Sequence, residues 1–468
     1  MSTAASTAAS TAGSTATRTA ATAPSRPLTA VIAEHVVRAG DAPLGDAQAA
    51  ATRALLLHNL TVGLAAHGMP LPGIVGDRAL PWTDRPATAP DLAFATALRM
   101  GARAQHDEHP RSVTHLGSAV TPACLAVARR GTDGARLLQA IAVGYQVGGV
   151  LGEALLPAVR ARGLRATGVI GPIAAATAAA VLLELDADRT ANAIALAASR
   201  AAGTTEVWLA GTDEWRLQTA AAARDGLESA LWAAAGARGA PTALEGRSGL
   251  LHALGADPID GDALAEALAG DAVVEQMLRK AHPVCAINQA AVEVAIALRE
   301  RLAPLDPDAI ERVAVRLSDA DAGYPGIDLA HPPASWPQAM MDARQGVAVA
   351  LADGRVDVDA LHPGDATVQR LRARIDVVGG LPATDGHGAE VEVALRDGRT
   401  ERASAPRVEI DAGRAGRMAL ELLPAAGISR GIAEQLPALV DGVDAPGGLA
   451  RLVDTLYGIE PWGSLCPR

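Results

Sequence analysis

The 468-residue chain carries a formal net charge of −11 and has no long Lys/Arg run or basic stripe with interleaved aromatics, which excludes nucleic acid or an anionic membrane as its main partner. About half of it is apolar, but that half is Ala, Leu and Val with one Phe, three Tyr and six Trp, so the core must be closely spaced helices with small side chains. The length exceeds what one core usually organises and makes two domains the expectation.

Residues 1–26 are a Ser/Thr/Ala repeat without the continuous apolar core of a secretion signal, and no later segment is a clean apolar span of membrane length. They read as a disordered leader on a cytoplasmic protein. From Leu28 to about Ala269, apolar residues recur at three and four spacing in LTAVIAEHVV, in Asp46 to His67 and in CLAVARRG, with Gly or Pro between segments. The long apolar face of Gly134–Leu155 and the Ala/Val/Ile/Leu run of Gly168–Leu185 place those two helices at the centre of the body.

After Lys280 the pattern changes. A helix of about Asn288–Leu302 precedes ERVAVRLS, RLRARIDVV and AEVEVALRDGRTERASA, which alternate apolar and polar residues and read as half-buried antiparallel strands. With helices near Pro337–Leu351 and Asp365–Leu371, residues 272–412 form a small α+β domain. The helical pattern returns from Arg414. The expected fold is mostly α: an all-helical domain of residues 27–271 and 413–468 with the α+β unit inserted as a lid, and a cleft between them for a small molecule.

Before the helix that opens at Gly117 lies a cluster of titratable residues, His106, Asp107, Glu108, His109 and His115. His106 and His109 with Asp107 and Glu108 have the right chemistry for a metal, but their HxxH spacing lacks a clear helix, and no metal is expected. Cys124, Cys285 and Cys466 are too few and too scattered for a disulfide framework. Lys280 is the sole lysine, so a Schiff base to a protein lysine can form only there.

The order of helical body, inserted lid and returning tail resembles the MmgE/PrpD family, which includes 2-methylcitrate dehydratase, cis-aconitate decarboxylase and iminodisuccinate epimerase. The resemblance runs through THLGSAVTPA at 114–123, GYQVGG at 144–149, ATGVIGPIAAATAAA at 166–180, RLQTAAAARDGL at 216–227 and KAHPVCAINQAA at 280–291. It implies a cofactor-independent enzyme, usually a homodimer, with His115 as the retained reactive histidine and Asp107 as the survivor of an Asp-rich stretch. The chain departs from the family pattern elsewhere. Arg165 and Ala166 stand where the family has His and Pro, Trp215 where it has Lys, and Gln218 where it has His. The lid tyrosine falls on Tyr324, and Asp342, Arg344 and Gln345 replace a Ser-Pro-Tyr pattern.

An arginine at 165 cannot accept a proton but can bind a carboxylate, and Trp215 exchanges a cation for an apolar plate. His115 is the expected general base or acid, with Asp107 or Glu108 orienting it; the plainer alternative is that it caps the following helix. Asp107, His109 and Tyr324 complete the expected catalytic set, and Gln105, His106, Arg165, Trp215, Arg216, His282 and Cys285 the expected substrate contacts. The expected function is a lyase or isomerase that abstracts a proton alpha to a carboxylate or carbonyl of a small organic acid. The alternatives are an enzyme recruited into specialised metabolism for a larger, less charged intermediate, and a non-catalytic family member.

Overall fold

The computed structural model describes residues 26–67, 69, 88–128, 131–384, 386–408 and 410–459, so the expected leader lies, apart from Arg26, outside the described residues. The first part of the chain is helical: α1 Leu28–Asp41, α2 Asp46–Leu64, α3 Ala89–Ala102, α4 Gly117–Val127, α5 Gly134–Ala161, α6 Ala166–Leu182, α7 Ala187–Ala198, α8 Glu206–Ala210, α9 Glu214–Ala234, α10 Leu250–Leu254, α11 Gly261–Leu268 and α12 Val273–Gln276. Aspartates start several of them. Asp133 accepts from Ala135 N, Asp186 from Arg189 N and Asp260 from Asp262 and Ala263 N, filling donors that a helix N-terminus leaves open.

The centre is α6, buried from Ala166 through Val181, with α5 and α9 packed against it. Small residues set that spacing. A Cβ on Gly226 of α9 would come within 2.4 Å of the Pro172 carbonyl oxygen and 2.6 Å of Ala175 Cβ on α6. On α5, a Cβ on Gly148 would lie 2.5 Å from Leu116 and 2.9 Å from Ala174. α5 is also the one helix among the described residues that is long and apolar enough to cross a membrane, and 67% of its apolar window is buried inside the protein.

The second part carries α13 Gln289–Arg301, β1 Ile310–Ser318, α14 Asp319–Ala322, α15 Trp336–Met341, α16 Ala343–Asp353, α17 Ala366–Arg372, β2 Ile375–Leu381, β3 Ala389–Leu395 and β4 Thr400–Ala405. The sheet order is β2-β1-β3-β4. The expectation of antiparallel strands holds for β1/β3 and for the β3/β4 hairpin around Asp397 and Gly398, but β1 and β2 pair in parallel. The reason is the connection: α14 to α17 lie between these strands and return the chain to the same end of the sheet before β2 begins. α13 and α16 pack beside this sheet and share an apolar cluster with it.

The last helices, α18 Ala412–Ala425, α19 Arg430–Asp441 and α20 Gly448–Tyr457, return to the helical body; α18 and α19 pack on α2, and Leu423, Leu436 and Leu452 join the same apolar cluster as α1 to α7. A large helical core and a smaller α+β core therefore stand side by side, joined by the segment that runs past Lys280.

Gly226→Ala should destabilise the protein by about 1–3 kcal/mol, because the facing atom is a backbone carbonyl that cannot rotate away. Gly416→Ala, in α18 with nothing within 4 Å of the added carbon, should instead be neutral or stabilising by up to about 1 kcal/mol. Urea unfolding of the two variants checks this, and equal midpoints would contradict the packing argument.

Candidate active site

The loop between α3 and α4 is fixed by one buried carboxylate. Asp107 Oδ2 accepts from Asn59 Nδ2 on α2 at 2.9 Å and from the Tyr145 hydroxyl on α5, while Oδ1 accepts from Gly117 N, the first residue of α4, at 3.0 Å. A second anchor is His58, whose ring meets the Gln105 carbonyl at 2.7 Å. The loop is also tied to the segment entering the α+β unit, by paired backbone hydrogen bonds between Glu108 and Leu278 and by Gln105 Nε2 donating to the Ala281 carbonyl at 2.9 Å.

These ties place His106, Glu108 and His115 on one wall of a cavity. Arg165 at the start of α6, Trp208 of α8 and Trp215 of α9 complete the helical side. Lys280, Cys285, Tyr324, Met340 and Met341 come from the other side. The site thus lies between the two cores.

His115 Nδ1 lies 3.0 Å from the Asp107 carbonyl oxygen, which can only accept, so the proton sits on Nδ1 and the lone pair on Nε2. Its backbone N donates to Thr167 Oγ1 at 3.0 Å. The His106 ring stands edge-on to the His115 ring, centroids 4.3 Å apart. Burial first, and then the Lys280 ammonium, push both imidazoles well below the ordinary histidine range, so both are neutral at neutral pH.

Arg165 Nη1 donates to the Trp215 carbonyl at 2.6 Å and to Thr219 Oγ1 at 2.8 Å. Its buried Nη2 has no hydrogen-bond partner among the described residues. Burial lowers its pKa to about 10, leaving it a cation at neutral pH. Lys280 is fully buried; burial also lowers its pKa, opposed by Glu108. Burial raises the Tyr324 hydroxyl to about 12, which keeps it a donor, and the Cys285 thiol to about 12, which makes it a poor nucleophile. Trp208, Trp215 and Trp336 form a continuous aromatic wall, with ring centroids 5.9 and 6.2 Å apart.

Several expected site residues have their polar atoms engaged elsewhere. Asp107 is fully buried and acts as the loop anchor, while Gln105 bridges Arg103 and Ala281. His109 lies in the turn below the loop, bonded to Ser112 at 2.8 Å, and does not line the cavity. Arg216 pairs with Asp213 at 2.6 Å and lies over Trp215 and Trp336 from outside the cavity. His282 turns to Glu293 at 2.7 Å. Of the four side chains weighed for a metal, only His106 and Glu108 reach the cavity, and among the described residues no group of three metal-ligating side chains comes together.

The sequence reading had Glu108 only as one of two groups that could orient His115, and it missed His387, whose ring lies 2.8 Å from Glu108. It also did not place Lys280 or Trp208 in the site. That Lys280 is the sole lysine was a usable signal, since a lysine retained alone in an Arg-rich chain is a position where Arg does not serve.

The buried histidines predict an acid limit to stability. His58 is pushed by burial to about 3 and His35 to about 4, so below pH 6.5 the unfolded chain binds more protons than the folded one, and stability present above that value is lost as the pH falls. His58→Gln, which keeps a donor for the Gln105 carbonyl, should reduce the loss between pH 7 and pH 5 by about 2 kcal/mol in urea unfolding. An unchanged pH slope in the folded variant would show that His58 is not held neutral.

Residues 29–260 match the MmgE/PrpD N-terminal domain and residues 282–416 the MmgE/PrpD C-terminal domain. Over 191 residues, 34% of the chain, the sequence is 31% identical to the cis-aconitate decarboxylase-like protein oryM of Aspergillus oryzae, and the matched stretch spans 39% of that relative's length. The two domain matches follow one another in order and together take in more than three quarters of the residues, and the chain belongs to the MmgE/PrpD family.

Proposed function

We propose that the protein is a lyase or isomerase that removes a proton alpha to a carboxylate of a small organic acid, with His115 as the base. The observation that carries this reading is a neutral imidazole with its tautomer set by the Asp107 carbonyl, lining a cavity that also holds two buried cations, Arg165 and Lys280. A buried guanidinium nitrogen without a partner is costly unless a ligand oxygen meets it, and a carboxylate is the natural match.

The substrate C–H proton passes to His115 Nε2, and its electron pair stays on carbon beside Lys280 and Arg165, whose charge stabilises it. Tyr324, protonated at neutral pH, is the donor for a leaving hydroxyl in a dehydration. In an isomerisation His115 returns the proton itself. In a decarboxylation the pair comes from the broken C–C bond as carbon dioxide leaves, and the protonated Tyr324 hydroxyl is the donor to the carbon. Family membership and the decarboxylase-like relative support the lyase class.

A second reading has its own observation. Trp208 and Trp215, with Met340 and Met341, give the cavity an apolar side that a tricarboxylate does not use, which favours a larger, less charged acid from specialised metabolism.

Proton NMR in deuterated water with 2-methylcitrate, citrate, cis-aconitate and several less charged keto or unsaturated acids tests both. Exchange or turnover with one of these acids is expected, and His115→Ala should lower it by about 100- to 10,000-fold with the fold retained. Near-normal exchange in that variant would sink the assignment of the base. Trp215→Leu should weaken binding of the less charged acids by roughly tenfold, in line with the loss of a large aromatic contact, while leaving small tricarboxylates little changed. Tight binding and turnover of a simple tricarboxylate by the native protein would count against the second reading.

A further inference from the structure

Glu108 Oε2 lies 3.5 Å from His115 Nδ1, and its other oxygen, Oε1, lies 2.8 Å from His387 Nε2. His387 belongs to the other core, in the turn that enters β3, where it is buried between Gly386 and Gly388 at φ +52°. Its second ring nitrogen, Nδ1, is 2.9 Å from Asp321 Oδ1, and Asp321 is itself held by the Ser318 hydroxyl at 2.8 Å. Both partners are carboxylates, which only accept, so both ring nitrogens must donate and the ring is an imidazolium. A carboxylate, an imidazolium, a second carboxylate and the imidazole of His115 thus form one continuous row across the junction of the two cores.

We propose that His387 is a positioning residue for the base: by donating to Glu108 from the α+β core, it holds that carboxylate against His115 Nδ1 and balances its charge. This rests on the reading of His115 as the base. When Nε2 takes a proton, the charge that spreads to Nδ1 meets a carboxylate already in place. Before that, the His387 cation cancels most of the field of Glu108, so His115 is not drawn into its protonated, inactive form. The base is therefore complete only while the two cores are docked.

The surrounding charges are consistent with that role. Lys280, Arg165 and His106 face the Glu108 and His115 end, Asp107 presents its carbonyl to His115, Arg160 acts on Asp321, and Arg407 packs against Gly386. Burial alone would lower the His387 pKa, but the hydrogen bonds to Asp321 and Glu108 outweigh it and raise it to about 10. A histidine serving only as a packing residue would not need two buried carboxylates.

Nitrogen-15 spectra of histidine-labelled full-length protein between pH 6 and pH 10 test this without a substrate. The native protein should show one ring still doubly protonated at pH 8, absent in His387→Gln, and a neutral His115 ring with its proton on Nδ1, assigned from its absence in His115→Gln. In His387→Gln the His115 ring should protonate at higher pH than in the native protein, and in Glu108→Gln the His387 ring should lose its proton at lower pH. Absence of the imidazolium at pH 8 in the native protein, or a His115 ring that titrates identically with and without His387, would overturn the proposal. If His387→Gln does not fold, the native spectrum and Glu108→Gln decide it. Because the readout is ring protonation, an organic-acid panel that shows no turnover leaves this result standing, and loss of the coupling leaves the His115→Ala exchange test unaffected.

Discussion

The site depends on the Asp107 carboxylate. It is buried, so its two oxygens must be hydrogen-bonded, and it satisfies them with groups from three helices, Asn59 on α2, Tyr145 on α5 and the first amide of α4. Burial raises its pKa while those hydrogen bonds oppose the shift, the ordinary conflict for an internal carboxylate. The consequence is geometric. With residue 107 pinned, its neighbours on either side, His106 and Glu108, both reach the cavity, and its own carbonyl selects the tautomer of His115.

Close helix packing supplies the other half of the constraint. Gly148 of α5 is pressed between Leu116 and Ala174, so the residue following His115 is held against the central helices by contacts that tolerate no added carbon. Thr167, in the first turn of α6, bonds the backbone of His115, and Arg165 stands just ahead of that turn. The Ala-rich composition and the placement of His115 therefore have one cause: helices with small faces approach closely enough for residues on four of them to meet at one loop.

Much of the helical body was legible from three- and four-residue periodicity, because the segments 134–161 and 166–182 are long and strongly apolar. The direction of β2 was not, since alternation says which face a strand buries but nothing about its sense relative to a neighbour. The site was legible in part. Arg165, Trp215, His106, His115, Cys285 and Tyr324 do meet around one cavity, whereas His109, Arg216 and His282 turn to partners of their own. Local charge clustering cannot separate these cases. His106 and His109 are three residues apart, yet one faces the cavity and the other fills a turn, a difference made by the left-handed backbone at Ala104 and Val113 and by the pairing of His109 with Thr114. His387 carried no sequence signal, because its meaning comes from Glu108, which lies 279 positions away.

Arg165 and Trp215, read from the sequence as two separate departures from the family pattern, are one structural change. Arg165 Nη1 donates to the main-chain carbonyl of Trp215 and to Thr219 one turn further along α9, and its guanidinium lies over the Trp208 ring at 5.4 Å. The Trp208 ring thus packs against the arginine, while the arginine ties the start of α9 to the start of α6. Arg165 and Lys280 thus bring positive charge to the cavity from opposite sides. A fixed guanidinium offers a carboxylate one defined position, and the tryptophans beside it offer an apolar surface. A guanidinium that is still cationic at neutral pH has no lone pair to offer, so on the proposed reading proton transfer falls to the imidazoles and to Tyr324. That reading separates holding an acid from moving its proton and gives the two tasks to different groups around one cavity.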